Sequence, residues 1–442
     1  MRKSRTYLLA LLCGSLAVPS QAQKQMTLED CIHYALANNI TVKQREVGKL
    51  KSKIELSSSR NSRLPDFSAN ASQSFSFGRG LTGNNTYVNR STQSTSLGFN
   101  TNVPLFTGFR IPNQIALARL DLEASIEDLK KAREDLALQV TQSYMEVLFQ
   151  QELIGVAQSQ LILSRLQAER IQKMLANGKA AEPDLAEARA LVAQEKSTLT
   201  QAKGSFKLTL LALSQLLELA SPDSLVLASP MLITPTVYHD TPEEIFSIAV
   251  TERPSIKANQ IRLKGMERNI KIARSGYYPS LSFGAGIGTN YYKTSGYQGD
   301  AFHRQLSNNL NEHIALNLNI PIFNRFETRN AIRRARLNYE MQNLELTATK
   351  KSLYKEIQQA YYNTMIAEEQ YNSSKFSEQA AQLSFEFVAK KYENGKASAT
   401  EYAAAKAKQT KAISDRLQAQ YSYVFKTKIL DFYRGIKIED RM

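Results

Sequence analysis

The chain has 442 residues, 43% of them hydrophobic, enough apolar content for two or three ordinary domains or for one extended architecture. Its formal charge of +15 points either to an acidic partner or to a solvated basic surface, and charge alone carries no fold. Beyond the N-terminus no run reaches about 18 consecutive apolar residues, which excludes a membrane-spanning helix from the mature chain.

Residues 1–22 read as a secretory signal. Arg2, Lys3 and Arg5 precede an apolar run from Leu8 to Val18, and Ser20 and Ala22 supply a small-residue cleavage site before Gln23. Cleavage removes Cys13, whose preceding Ala10-Leu11-Leu12 lacks the small residue of a lipidation site, and leaves Cys31 with no disulfide partner. Export argues against nucleic acid as the partner of the basic charge.

A first repeat spans 23–220. Thr27 caps an opening helix, with acids in its first turn. A β-hairpin follows at 66–103. "DFSANASQSFSF" places Phe67, Ala69, Ala71, Phe75 and Phe77 at alternate positions. "TSLGFNTNV" sets Leu97, Phe99, Thr101 and Val103 against Gly98, Asn100 and Asn102. Pro104 marks the change from strand to helix, because it ends pairing without needing an amide donor. A long helix at 109–176, a tip at 177–183 and a helix at 184–219 complete the repeat. The proline-rich stretch 221–241, with Pro222, Pro230 and Pro235, reads as a connector carrying short strands at Leu225–Leu227 and Leu232–Ile233.

The second repeat, 242–435, follows the same plan: a helix capped by Thr241, a hairpin at 280–323, a long helix at 327–394, a tip at 395–400, a helix at 401–434, then a tail at 436–442. "SLSFGAGIGTN" alternates Leu281, Phe283, Ala285 and Ile287 with Ser282, Gly284, Gly286 and Gly288. "EHIALNLNIPIF" puts Ile314, Leu316, Leu318 and Ile320 on one face, and Pro321 occupies the place of Pro104. Tyr277 and Tyr278 precede this hairpin's first strand and Tyr291 and Tyr292 follow it, as interfacial aromatic girdles do.

The two halves are a tandem duplication. "VPLFTGFRIPNQIALARLDLE" from Val103 matches "IPIFNRFETRNAIRRARLNYE" from Ile320, and "NGKA" at Asn177 recurs at Asn394, about 217 residues on. The register holds without a gap, as uninterrupted helices require: one inserted residue turns all that follows by about 100°. A helix of this length extends ~100 Å, which suits a coiled coil or tunnel rather than a globule. Val140, Val147, Ile154, Leu161, Ala168 and Leu175 recur every seventh residue, as do Ala360, Ala367, Ser374, Ala381 and Val388. Seven-residue spacing holds one stripe toward a partner helix, whereas an ordinary amphipathic stripe drifts.

The strands fit either a soluble sheet with one buried face or transmembrane strands. Export, two hairpins with polar tips, and the absence of further strands for a second layer favour the membrane. Leu97, Phe99, Leu281, Phe283, Ile287, Ile314, Leu316 and Leu318 are then lipid-facing. Four strands cannot close in a bilayer, so several chains must contribute. Three give about twelve strands and a water-filled lumen, whereas two give about eight and a filled interior.

On these features the chain resembles the TolC-like outer-membrane efflux family from Gln23 to about Gly435. The carriers are the duplication, the helix–hairpin–helix order, the Pro104-Leu105-Phe106 and Pro321-Ile322-Phe323 junctions, and the glycine turns. The resemblance implies an α+β membrane protein in which long helical hairpins form a coiled-coil tunnel through the periplasm. It implies four transmembrane strands per chain and a homotrimer with a twelve-stranded barrel in outer-membrane lipid. The duct would be passive, serving tripartite efflux or type I secretion, and opened by a periplasmic adaptor (membrane fusion) protein bound to an inner-membrane transporter. Its adaptor-contacting tips would comprise Asn177, Gly178, Asp184 and Ala188 in the first half and Asn394, Gly395, Ser398, Glu401 and Ala405 in the second. Glu401 stands where the family has Asp. Arg165, Glu169, Lys173, Lys390 and Glu393 lie near the tips, without defining a gate.

The alternative is a periplasmic coiled-coil adaptor or scaffold without a pore. Adaptors carry one hairpin and more β-structure, which disfavours it. His33, His239, His303 and His313 are scattered, and neither a nucleophile elbow nor a phosphate loop is present, so no enzyme, metal or cofactor is expected. Cys31 reads as a buried structural thiol.

Overall fold

The structure is a computed structural model that describes residues 25–81, 85–228 and 240–436. The expected signal sequence with Cys13, the expected strand at Leu232–Ile233, Pro230, Pro235, His239 and the tail beyond Ile436 lie outside them.

In the first half, β1 (Gln25–Met26) leads to α1 (Leu28–Asn38) and α2 (Ile40–Asn61). Next come β2 (Asp66–Leu81), β3 (Tyr87–Thr107), α3 (Arg110–Ala176) and α4 (Glu182–Leu216). A 3-10 turn at Pro222–Ser224 and β4 (Val226–Leu227) precede the second half. There α5 (Pro242–Glu252) and α6 (Pro254–Arg274) lead into β5 (Ser280–Thr294), α7 (Phe302–Asn308) and β6 (Asn311–Asn319). The chain continues as α8 (Glu327–Glu393) and α9 (Ala399–Tyr433).

The opening helix of each half is two helices, not one. In the second half Pro254 holds Arg253 extended, at φ −63° and ψ 126°, since a proline ring crowds a helical predecessor. In the first half Asn39 adopts the same conformation, φ −60° and ψ 132°, without a proline. Its side-chain amide donates to the Leu216 carbonyl at 3.1 Å, and the Ile40 amide donates to Glu218 Oε1 at 3.2 Å. Both opening caps are reciprocal. The Asp30 amide donates to Thr27 Oγ1 at 3.1 Å and the Thr27 amide to Asp30 Oδ2 at 3.1 Å; Thr241 and Glu244 repeat this at 3.3 and 2.8 Å.

The chain divides into two compact units. One takes 1–40, 135–239 and 359–442. Within it β1 and β4 pair in parallel, Gln25 with Val226 and Met26 with Leu227, so the expected strand near Leu225–Leu227 has its partner at the chain's first described residues. Ile32, Tyr144, Leu213, Leu217 and Leu430 are fully buried, and the Tyr144 hydroxyl donates to the Ala228 carbonyl at 2.6 Å. Cys31 is also fully buried, and burial pushes its thiol up to about 12. Every residue of both seven-residue stripes is buried or half-buried, as helix-to-helix packing requires.

The other unit, 41–134 and 240–358, holds a four-stranded sheet in the order β2-β3-β5-β6 with every neighbour antiparallel. Pro104 does not end pairing. It lies opposite Ser282, the register shifts between Pro104 and Phe106, and β3 continues to Thr107 opposite Ser280. A bulge absorbs the missing donor. Pro321 does follow the end of β6. The expected polar loop after β5 contains α7. Thr289 Oγ1 donates to the Leu306 carbonyl at 2.6 Å, and the Tyr291 and Phe302 rings meet edge to face at 4.9 Å.

Candidate functional site

Directly opposed residues of antiparallel strands share a face, so the register sorts the sheet into two chemistries. On one side Phe67, Thr101 and Ala285 align with Ile314, Ala69 with Phe99 and Ile287, and Val103 and Phe283 with Leu316. On the other side Asn70 aligns with Gly98 and Gly288, Ser68 with Asn100 and Gly286, and Ser72 with Ser96 and Asn290. The polar side is cross-linked: the Ser72 and Ser96 hydroxyls lie 2.7 Å apart, and Asn100 donates to Asn70 Oδ1 at 2.9 Å. The apolar side faces outward, with Phe67 82% exposed, Ile314 78%, Leu316 67% and Phe99 66%. Leu97, Leu318 and Ile287 are exposed with them, while Leu281 and Phe283 are half-buried. An apolar face this continuous marks an interaction with lipid or protein.

The turn from strand to helix is built twice from left-handed residues. Gly108 and Phe109 have φ of 62° and 66°; Arg325 and Phe326 have 52° and 61°. Each phenylalanine packs edge to face on the one three residues earlier, Phe106 to Phe109 at 5.2 Å and Phe323 to Phe326 at 5.4 Å. Its carbonyl then accepts the Asn113 amide at 3.3 Å or the Asn330 amide at 2.9 Å, starting the helix. Gly108 also has no room for a side chain: a Cβ there would sit 2.6 Å from the Ser275 carbonyl oxygen and 2.8 Å from Tyr278 Cβ. The duplicated phenylalanines were visible in the sequence, but their left-handed backbone was not.

Both tips are closed by one hydrogen-bond set. Gly178, at φ 69°, donates to Leu175 at 2.9 Å while Lys179 reaches Met174 at 2.8 Å. Gly395, also at 69°, donates to Tyr392 at 3.1 Å while Lys396 reaches Lys391 at 2.8 Å. This is the helix ending for which glycine is selected. Asn177 and Asn394 add side-chain donors to Lys173 and Lys390, at 2.9 and 2.8 Å.

The following helices start differently. Ser398 and Glu401 exchange both bonds, at 3.2 and 2.8 Å, and the bond from the Ser398 amide holds the Glu401 carboxyl below its usual range. Ala181 has no hydroxyl, so only its amide donates to Asp184, at 3.0 Å.

Asn177, Gly178, Asp184, Asn394, Gly395, Ser398 and Glu401 are exposed. Ala188 is not: it is buried with Ile171 and Leu185 in the small core of the first tip, because it lies one turn beyond Leu185 on the face of α4 that packs back on α3. Ala405 is half-buried. Among the charges near the tips, Glu393 pairs with Arg170 at 3.4 Å, and the Tyr392 and Tyr402 rings stack at 5.0 Å.

The most deeply buried cation among the described residues escaped the sequence reading. Lys406 on α9 is 2% exposed, pairs with Glu195 on α4 at 2.9 Å, and donates to the Gln160 carbonyl on α3 at 3.1 Å and to the Ser164 hydroxyl. No local signal distinguishes it from the exposed Lys408 and Lys411 beside it. Among the described residues no group of His, Cys, Asp and Glu could hold a metal ion, and no helix is long and apolar enough to cross a membrane.

Comparison with known proteins gives one answer throughout. The chain is 21% identical over 380 residues to the outer membrane efflux protein BepC of Brucella suis, covering 86% of this chain and 78% of that one. Its fold is similar to the Campylobacter jejuni CmeC outer membrane channel, with a TM-score of 0.77 at 21% identity over 93% and 87% of the two chains. It is also similar to the Vibrio cholerae outer membrane protein VceC, with a TM-score of 0.75 at 17% identity over 93% and 97%. The family profile described as outer membrane efflux protein matches twice, at 31–218 and 245–431, once per half. The reading as a pore-less adaptor or scaffold is thereby overturned. The protein resides in the outer membrane with its helical part in the periplasm, and family and fold are those of transport conduits. The chain belongs to the outer membrane efflux protein family, whose members work in tripartite systems with a periplasmic adaptor and an inner-membrane transporter.

Proposed function

We propose that three copies of this chain join their sheets edge to edge into a twelve-stranded barrel, through which solute passes passively after rising between the long helices. One observation carries this reading: an open, four-stranded sheet whose apolar face is exposed and whose edges, β2 and β6, run in opposite directions. Opposite edges can pair antiparallel from copy to copy, and in a bilayer every edge must be paired. The apolar face then meets lipid and the Ser, Asn and Gly face lines water.

On this reading each repeat is one helix–hairpin–helix unit, and the connector joins them. The exposed tip residues Asn177, Gly178, Asp184, Asn394, Gly395, Ser398 and Glu401 are the adaptor's contact. Ala188 supports that surface from beneath.

The test is to purify the chain from outer membranes in detergent and reconstitute it. The expected result is a trimer resistant to detergent until heated, giving a steady conductance in planar bilayers. A chain that is monomeric in plain buffer, with no conductance, would sink the proposal.

A further inference from the structure

At the foot of the sheet the second half carries a cationic cleft. Arg274 at the end of α6, Arg329, Arg333 and Arg336 on the first turns of α8, and Tyr277 and Tyr278 line about 470 Å³, with the buried Ile332 among them. The three α8 arginines stand at helical spacing on one stripe, where like charges repel. Among the described residues none of the four guanidinium groups is paired with a carboxylate; Arg329 lies over the Phe326 ring at 5.6 Å.

The fold does not require the charge at two of these positions, and the duplication supplies the control. The positions matching Arg329 and Arg333 in the first half are Pro112 and Ala116, whereas Arg274 and Arg336 have basic counterparts, Arg60 and Arg119. Ile332 and Ala335, which are buried, recur unchanged as Ile115 and Ala118, as do Asn330 and Leu337 as Asn113 and Leu120.

The position of the cleft says what meets it. Tyr278 packs on Phe109 at 5.9 Å, Phe109 packs on Phe106, and Phe106 lies opposite Leu281 in the sheet register. Leu281 is on the apolar face with Phe283 and Leu316. An unbroken aromatic and apolar path therefore runs from the exposed face to the arginines. Guanidinium forks match phosphate oxygens two at a time, tyrosines sit at headgroup depth, and basic residues at a membrane edge select anionic lipid.

We propose that this cleft binds the phosphate of an anionic phospholipid in the periplasmic leaflet of the outer membrane, with the acyl chains lying along Phe106, Phe109 and the apolar sheet face. The inference rests on the barrel reading above.

The full chain and the Arg329→Ala/Arg333→Ala variant are reconstituted in phosphatidylcholine vesicles with or without phosphatidylglycerol. Bound lipid is counted by native mass spectrometry after extraction. The wild type retains phosphatidylglycerol over phosphatidylcholine, and the variant inserts equally well but loses that preference by about tenfold. A variant that inserts and keeps the full preference overturns the lipid site and leaves the duct standing. If inorganic phosphate alone binds the detergent-solubilised wild type as tightly as the lipid does, the cleft is a free-anion site and the lipid assignment fails. A wild type that does not enter vesicles removes both readings.

Discussion

Lys406 Nζ lies 2.9 Å from Glu195 Oε1, with the lysine side chain 2% exposed and the glutamate 16%. Removing one member of such a pair leaves the other charged and desolvated. Lys406→Met therefore destabilises the helical unit by about 3–5 kcal/mol, although the methylene packing is kept. Lys406→Met/Glu195→Leu recovers most of the loss, since no unpaired charge is then buried. Denaturant melts of the helical signal compare the three proteins, and a single variant within about 0.5 kcal/mol of wild type is the adverse result.

Glycines in different conformations answer alanine with opposite signs. Gly178, at φ 69°, makes the Schellman bonds of the tip, and Gly178→Ala costs about 1–2 kcal/mol through the left-handed backbone. Gly155 lies inside α3 with open space around its Cβ position, and Gly155→Ala stabilises by about 0.5–1 kcal/mol. Amide hydrogen exchange localises the first effect to residues 175–181 and the second to the middle of α3.

The strand-to-helix turns make a second contrast. Gly108→Ala meets both a left-handed φ and two atoms under 3.0 Å from the new Cβ, one of them backbone. It costs about 3 kcal/mol or more and lowers the yield of folded protein in the outer membrane. Its counterpart Arg325 holds φ 52° without being glycine, so Arg325→Gly gains about 1 kcal/mol. Heat-modification temperatures on gels report both, and equal shifts of one sign contradict the assignment.

The caps of α5 and α9 make the helix starts acid-sensitive. Hydrogen bonds from the Thr241 and Ser398 amides lower the carboxyls of Glu244 and Glu401 below the usual 4.5. A depressed folded-state pKa contributes stability that is fully present above the unfolded value and is lost as pH falls through the folded one. The protection of the Ser398 and Glu401 amides, measured against their intrinsic exchange rates, therefore holds at neutral pH and falls below about 4.5. Glu401→Gln removes that acid step, and an unchanged profile in the variant is the outcome that counts against it.

Much of this was legible in the residues because it is local. A hydroxyl three residues before an acid, a glycine after a helix and apolar side chains at alternate positions act within one turn or one strand. They placed the caps, the tips and the alternating faces. Duplication carried the rest, since each half could be read against the other. What stayed hidden depends on distant partners. Asn39 breaks its helix with help from Leu216 and Glu218, Met26 finds Leu227, and Lys406 is buried by residues on two other helices. Pro104 misled because a bulge lets a strand continue through a missing donor.

The pairing of β3 with β5 joins the two hairpins by the same antiparallel geometry that holds each hairpin together. A cylinder assembled from such units has only one kind of seam, and its girth can grow or shrink only by whole hairpins. Deleting a single strand from a chain would leave its two borders pointing the same way, and no number of identical copies could then be stitched shut by antiparallel bonds alone.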